Sequence, residues 1–160
     1  MYKPLILGLF LLCLALVVGC QTSETEAGGM QVLDAWARPT MRGSDQQAGD
    51  SAGAGEYGPS AIYLRLKNTG SEPERLIRAT TDVARSVEIH ESREEAGVMR
   101  MSRVEGIDIP GRGEVHLQPG GYHIMLEGVN RPLAPSDTFS ITLIFERAGS
   151  LSARVEVREP

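Results

Sequence analysis

Alternation of apolar residues with mostly polar ones constrains the fold of this chain more than any other feature. In residues 62–67 (IYLRLK) and 139–145 (FSITLIF), side chains of aliphatic or aromatic type recur at every second position. A period of two matches the β-strand, in which successive side chains point to opposite faces of a sheet. Turn sequences rich in Gly, Pro, Asn and Ser separate such runs. With no convincing helical period and no internal repeat, the sequence predicts an all-β sandwich.

The first twenty residues have the composition of an export signal. Lys3 supplies a positive charge, and residues 5–18 form an apolar stretch that is shorter than the ~20 residues of a membrane-spanning helix. Residues 17–20 (VVGC) resemble a bacterial lipoprotein box, which implies cleavage before Cys20 and a lipid attached to it. A plain secretory signal and an uncleaved anchor are the alternatives.

These features divide the chain into three parts. We expect a signal peptide over residues 1–20, a flexible tether of small and polar residues over 21–31, and a single domain over 32–160. The domain is large enough for one hydrophobic core but small for two. It should lie outside the cytoplasm, in the periplasm or at the outer face of the cell membrane.

Charge and motif content exclude two classes of function. The formal net charge is −5 and no basic cluster is present, which argues against a nucleic-acid partner. No nucleophile elbow, phosphate loop or paired-carboxylate signature occurs in the sequence. We therefore expect a protein that is not an enzyme.

Four residues with imidazole or thioether donors form an H-x10-M-x21-H-x-M pattern: His90, Met101, His123 and Met125. Any one of them, taken alone, is more often a packing or surface residue than a ligand. Together they offer four neutral donors, and thioether sulfur selects copper(I) over the cations that prefer oxygen. The pattern therefore predicts a copper(I) site and fits zinc or calcium poorly.

The spacing of the second pair has a geometric reason. His123 and Met125 are two residues apart in the segment 122–126 (YHIML), so they share one face of a strand. Their Cα atoms would lie roughly 6.5 to 7 Å apart, which lets both side chains reach one ion. The other face, with Tyr122, Ile124 and Leu126, would pack in the core.

The other two positions follow the same logic. In residues 86–90 (SVEIH), Val87 and Ile89 point one way and His90 points the other. Met99 shares a face with Met101, which makes Met99 the rival candidate for the thioether role. A second copper bound through Met41, Met99 or His116 also stays open.

The ligand pattern and its surroundings resemble the PCu(A)C family of periplasmic copper chaperones. The resemblance rests on VEIHES, GVMRM, PGGYHIMLEGVNRPL and ITLIFERAG and extends to DAWARPT and AIYLRLKNTG, so it covers most of the chain from about residue 32. It implies a cupredoxin-like Greek-key β-sandwich or barrel that binds one copper(I) through His90, Met101, His123 and Met125. A Gly- and Ser-rich insertion within residues 41–60 departs from the usual family pattern.

The family resemblance also implies a client, the dinuclear copper-A centre of cytochrome c oxidase. The only cysteines, Cys13 and Cys20, belong to the leader, so the domain lacks the thiolate of a blue-copper electron carrier. It cannot exchange disulfides either. Reduction of the client's cysteines would fall to another protein, such as a thioredoxin-like assembly factor. The expected partners are thus the oxidase subunit, that factor, and the membrane through the lipid anchor.

Two other functions remain alternatives. The first is a copper-buffering or resistance lipoprotein that sequesters copper(I) without a dedicated client. The second is a metal-free interaction domain, for which the His and Met residues would be dispensable.

Several further residues receive structural or supporting roles. Glu91 or Glu127 is a candidate carboxylate for orienting a ligand imidazole. His116 belongs to no ligand pair and is expected to face solvent from a strand. Trp36, close to Val32 and Leu33, is expected in the core.

Overall fold

A computed structural model describes residues 25–40 and 57–160, and its regular elements are all β-strands, as predicted. The strands in chain order are β1 (Thr25–Ala27), β2 (Met30–Ala37), β3 (Ser60–Asn68), β4 (Glu74–Thr80), β5 (Ala84–Glu95), β6 (Val98–Arg103), β7 (Ile107–Ile109), β8 (Glu114–Leu117), β9 (Tyr122–Val129), β10 (Thr138–Phe145) and β11 (Gly149–Val157). Within the described ranges, no helix is long and apolar enough to cross a membrane.

Some sequence predictions lie outside the described residues. These are the signal peptide, the lipid attachment at Cys20, Met41 and most of the insertion within residues 41–60.

Hydrogen bonds join the strands in the order β6-β5-β9-β8-β3-β2-β11-β10-β4-β7, with β1 on β2 and a second pairing between β9 and β3. Most neighbours are antiparallel, whereas β11 with β2 and β8 with β9 are parallel. This order places β5 and β9, which are far apart in sequence, side by side with β3 next to them.

Alternating side chains of these strands form the hydrophobic core. On β10 the predicted inward residues are all buried: Phe139, Ile141, Leu143 and Phe145. The same holds on β3: Ile62, Leu64 and Leu66. Each such side chain stabilises the fold by about 1.5 to 3 kcal/mol through its burial. The two-residue period therefore predicted the core face of both strands correctly.

Strand β2 contains a β-bulge. Leu33 pairs with Arg65 and Trp36 pairs with Tyr63, so three steps along β2 match two steps along β3. Asp34, inside the bulge, has a φ of 52°, a left-handed conformation that Asp tolerates better than most residues. Its Oδ2 accepts hydrogen bonds from Nε and Nη2 of Arg65 at 2.9 and 2.6 Å. Because β2 holds one extra residue here, the residues after the bulge that would have faced solvent face the core, and those that would have faced the core face solvent.

The bulge overturns the prediction that Trp36 lies in the core. Val32 before the bulge and Ala37 after it are both buried, although an odd number of steps separates them. Trp36 consequently lies half-buried on the outer face, where its ring centroid is 4.7 Å from that of Tyr63. Tyr63 is also buried, although alternation along β3 would expose it.

The sheet also begins before the predicted domain boundary at residue 32. Thr25–Ala27 forms a hairpin with the start of β2, and Met30 within it is only 1% exposed. Gly28 and Gly29 make the turn with φ values of 56° and 81°, a pair of positive angles that glycine adopts without strain. This hairpin therefore belongs to the domain and not to the tether.

The buried carboxylate of Glu74 ties β4 to the turn between β10 and β11. Its Oε1 accepts hydrogen bonds from the backbone N–H of Arg75 and Arg147 at 2.8 and 3.1 Å, and its Oε2 accepts one from Ala148 at 2.7 Å. Burial by itself would raise the pKa of Glu74, but these three donors outweigh it and lower the pKa. The carboxylate is therefore ionised at neutral pH and satisfies three backbone groups.

We predict that Glu74→Ala lowers the free energy of unfolding by about 2 to 3 kcal/mol, because three N–H groups lose their acceptor. Urea denaturation measures the change. Glu72→Ala, at an exposed position two residues away, is the matched control and should change stability by less than about 0.5 kcal/mol. Equal effects of the two substitutions would show that the hydrogen bonds to Glu74 contribute nothing.

Candidate metal centre

Two imidazoles meet across strands β5 and β9. His90 lies directly opposite His123, and their ring centroids are 5.8 Å apart with an interplanar angle of 62°. On the other face of the same strands, Ile89 lies opposite Ile124 and both are buried in the core. The two histidines therefore share the face away from the core, as the strand period predicts.

Each ring uses one nitrogen in a hydrogen bond within the protein. Nε2 of His90 is 2.9 Å from Oε2 of Glu88, and because an ionised carboxylate only accepts, Nε2 carries the proton and donates. Nδ1 of His123 likewise donates to the carbonyl oxygen of Gly121 at 3.0 Å. These bonds fix the tautomer of each neutral ring, in which the other nitrogen carries a free lone pair.

Those two remaining nitrogens are buried. Among the described residues, Nδ1 of His90 and Nε2 of His123 have no hydrogen-bond partner. A buried polar atom without a partner costs about 1 to 3 kcal/mol, and such atoms are uncommon in native proteins. Metal-binding histidines show this arrangement, in which one nitrogen is fixed by an oxygen acceptor and the other is free for the ion.

The electrostatics favour a neutral imidazole at His123 and an ionised carboxylate at Glu88. Burial is the main cause that lowers the pKa of His123, and the charge of Arg38 contributes in the same direction. The pKa of Glu88 is also lowered, chiefly by the hydrogen bond from His90 and further by the charge of Arg103. Because only neutral imidazole binds a metal, His123 is ready for an ion at neutral pH.

The two methionines lie on the same face as the imidazoles. Met125 of β9 is opposite Glu88 of β5, and Met101 of β6 is opposite Ser92 of β5. Glu88, His90 and Ser92 are alternate residues of one strand and share a face. The fold thus brings together the four predicted ligand residues, which are separated by up to 35 positions in the sequence.

A cavity of about 500 Å³ opens on this face of the sheet. Met101, His123 and Met125 line it together with Tyr63 and Arg38. The ring centroid of Tyr63 is 6.3 Å from that of His123, and Cζ of Arg38 is 5.6 Å from the Tyr63 centroid. The cavity is much larger than a single ion, so it also has room for a group from another molecule.

The rival thioether and the third histidine lie elsewhere. Met99 is opposite Glu94 on the β5–β6 hairpin and is 56% exposed, and it is not among the residues that line the cavity. His116 is exposed on β8, as predicted, with its Nε2 2.7 Å from Glu114.

The carboxylate that holds a candidate ligand imidazole is Glu88, which hydrogen-bonds His90, and not Glu91 or Glu127 as suggested from the sequence. Glu91 contacts Arg93 at 2.7 Å, and Glu127 is exposed. The sequence contained enough information to identify Glu88 as the partner of His90. Residues two apart on a strand share a face, and Glu88 precedes His90 by two positions.

The fold and this site define a class of protein, the cupredoxin-like PCuAC domain. The copper-bound PCuAC domain from PmoF2 matches with a TM-score of 0.62 and 24% identity, over 86% of this chain and 98% of that one. A solution structure of CuI-DR1885 from Deinococcus radiodurans matches with a TM-score of 0.55 and 28% identity, over 78% and 76% of the two chains. The resemblance that the sequence predicted is confirmed.

The family follows from sequence comparison. The family model described as "Putative lipoprotein LpqE-like" matches residues 30–157, and this chain belongs to the LpqE-like family. A relative from Leifsonia xyli subsp. xyli, named "Putative lipoprotein Lxx21020", is 32% identical over 156 residues, which are 97% of this chain and 85% of that protein.

We predict that the metal-free protein loses stability as pH falls below about 6.5, the ordinary His pKa. The unfolded chain binds a proton at that pH, whereas burial lowers the pKa of His123 in the folded state. The contribution of neutral His123 to the free energy of unfolding is therefore complete above pH 6.5. Below that pH it declines by at most about 1.4 kcal/mol per pH unit.

Urea denaturation between pH 7.5 and 5 measures this decline. His123→Gln, whose side chain does not titrate, should reduce it, whereas His116→Gln at an exposed position should leave it unchanged. The same pH dependence in the wild type and in His123→Gln would contradict the assignment.

Proposed function

We propose that this chain is an extracytoplasmic copper(I) chaperone. One copper(I) binds to Nδ1 of His90, Nε2 of His123 and the thioether sulfurs of Met101 and Met125. The observation that carries the proposal is the pair of buried imidazole nitrogens without partners on one face of the sheet. Two methionines on the same face supply the remaining donors.

The chemistry of the donors supports copper(I) as the ion. All four donors are neutral, and thioether sulfur is a soft ligand that suits copper(I). The described residues that line the cavity include no carboxylate, the ligand that calcium and magnesium prefer. Two of the structurally similar proteins are described as holding copper, the PmoF2 domain as copper-bound and DR1885 as the CuI form.

The exposure of the donors suggests an order of release. Met101 lies on the edge strand β6 and is 55% exposed, whereas His123 is only 3% exposed. An incoming thiolate would first replace Met101: its sulfur forms a bond to copper as the bond to the methionine sulfur breaks. The thiol proton passes to water and copper remains copper(I). His123 and Met125 would release the ion last.

The client in this proposal is the copper-A subunit of cytochrome c oxidase. Support comes from the family resemblance and from the absence of cysteine in the domain, because Cys13 and Cys20 both precede it. A site without thiolates holds copper(I) less tightly than a client with two cysteines, so transfer is downhill. A thioredoxin-like assembly factor would keep the client's cysteines reduced.

The anchor in this proposal is a lipid on Cys20. Its support is the VVGC sequence and the lipoprotein names of the family and of the Leifsonia relative. Because β1 begins at Thr25, five residue steps separate the lipid from the sheet, a reach of at most about 18 Å. The domain would therefore stay close to the membrane in which the client resides.

We predict that the full chain, loaded anaerobically with one equivalent of copper(I), transfers it to the reduced apo copper-A subunit. His123→Ala should retain less than a tenth of the loaded copper after desalting, and His116→Ala should load and transfer as the wild type does. Metal analysis of the separated proteins measures both steps.

The possible outcomes separate the functions. Tight loading without transfer would replace the chaperone by the copper-buffering lipoprotein. Equal loading by His123→Ala and the wild type would contradict the site itself and return the chain to a metal-free interaction domain.

A further inference from the structure

The cavity beside the candidate ligand residues is lined by one cationic side chain and by no acidic one that the structure describes, although the whole chain has a formal net charge of −5. Its described lining includes Arg38 and no Asp or Glu. The other polar groups of the lining, apart from His123, are the hydroxyls of Ser60, Tyr63 and Ser92. A copper(I) ion on four neutral donors would add a second positive charge to this cavity. The carboxylate of Glu88, opposite Met125 and hydrogen-bonded to His90, offsets part of the charge of the ion. Arg38 has no carboxylate within 4.0 Å among the described residues, so its charge can attract an anion.

Arg38 is positioned over the cavity by contacts on both sides of its chain. Its backbone N–H donates to the carbonyl oxygen of Ala61 at 3.1 Å, and its own carbonyl accepts a hydrogen bond from Oγ of Ser60 at 2.7 Å. The guanidinium lies 5.6 Å from the ring centroid of Tyr63, within the range of a cation–π contact. The guanidinium thus lies beside the wall that carries His123.

Arg38 also differs from at least half of the other arginines that the structure describes. At least six of those twelve lie within 4.0 Å of a carboxylate: Arg65, Arg75, Arg93, Arg100, Arg103 and Arg131. Arg38 has no carboxylate at that distance among the described residues. Its planar fork of N–H donors, which suits a carboxylate or another anion, remains available.

We propose that this cavity binds an anionic group of the molecule that takes the copper, with the guanidinium of Arg38 as the recognising cation. The inference rests on the proposed copper site, because the anion approaches beside the bound ion. The anionic group is either the attacking thiolate or a carboxylate next to it. In both cases Arg38 makes no bond to copper and acts by holding the incoming group near the thioethers.

The exchange itself balances without another reactant. The thiol of the acceptor gives its proton to water, and its sulfur forms a bond to copper as the bond to Met101 breaks. Copper stays copper(I) throughout. Arg38 accelerates the exchange by raising the local concentration of the anion, an effect of about tenfold, which is the low end of the range for charge-lined clefts.

Three small thiols that differ in charge test the inference: 3-mercaptopropionate, 2-mercaptoethanol and cysteamine. The full chain carries one equivalent of copper(I), and ultraviolet absorption of the copper–thiolate product gives the rate of removal by each thiol. In Arg38→Gln we expect removal by 3-mercaptopropionate to slow by about tenfold. Arg38→Lys, which keeps the charge, should recover part of this rate.

Arg112→Gln is the matched control. Arg112 lies in the turn between β7 and β8, where its backbone N–H donates to the carbonyl of Gly70. Gly70 follows the end of β3, whereas the cavity residues Ser60 and Ala61 lie at the start of that strand. It should react at the wild-type rate with all three thiols. A copper competition titration verifies that each variant keeps the wild-type affinity.

The pattern of rates identifies the anionic group. Slowing of 3-mercaptopropionate alone shows that Arg38 recognises a carboxylate, and equal slowing of all three thiols shows that it recognises the thiolate. Wild-type rates for all three in Arg38→Gln would overturn the proposal.

A measurement without copper tests the anion site separately from the proposed copper site. In the metal-free full chain, 3-mercaptopropionate should shift the ring resonances of Tyr63 with saturation, and Arg38→Gln should abolish that shift. A wild type that binds no copper yet shows the shift would refute the chaperone and retain the anion site. Identical shifts in the wild type and in Arg38→Gln would refute the anion site.

Discussion

The antiparallel pairing of β5 with β9 is the interaction on which the rest of the site depends. It places His90 opposite His123 on the outer face, and the same register places Ile89 opposite Ile124 in the core. Both isoleucines are buried, so burial of apolar surface fixes the register that the proposed copper site needs. A slip of one residue would turn the imidazoles into the core and the isoleucines to the outer face. The stability of the core and the geometry of the site therefore have one origin.

The site carries a free-energy cost in the metal-free protein. Two imidazole nitrogens are buried without partners, while Glu88 and Gly121 hold the opposite nitrogens in hydrogen bonds. The rings are thus oriented before an ion arrives, and little rotational freedom remains to be lost on binding. Binding of copper removes the cost of the unpaired nitrogens and would stabilise the folded state in proportion to its affinity.

Local patterns in the sequence predicted much of this arrangement, and long-range contacts explain what they missed. The period of two predicted the correct face for the candidate ligand residues of β5 and β9, and it could have identified Glu88. It failed at Trp36, because the phase of β2 changes at the bulge around Asp34. Asp34 contacts Arg65 of another strand there, a long-range contact that no local pattern specifies. Arg38 reaches the cavity only through the pairing of β2 with β3 and β3 with β9, which no local pattern specifies.

The nitrogen atoms themselves offer the most direct test of the copper site. Long-range proton–nitrogen NMR correlations of the histidine rings, recorded anaerobically during a copper(I) titration, report which nitrogen binds the ion. One equivalent should shift Nδ1 of His90 and Nε2 of His123, while Nε2 of His90 and Nδ1 of His123 keep their protons. Shifts confined to His116, or binding through the two nitrogens that hold hydrogen bonds in the structure, would contradict the site.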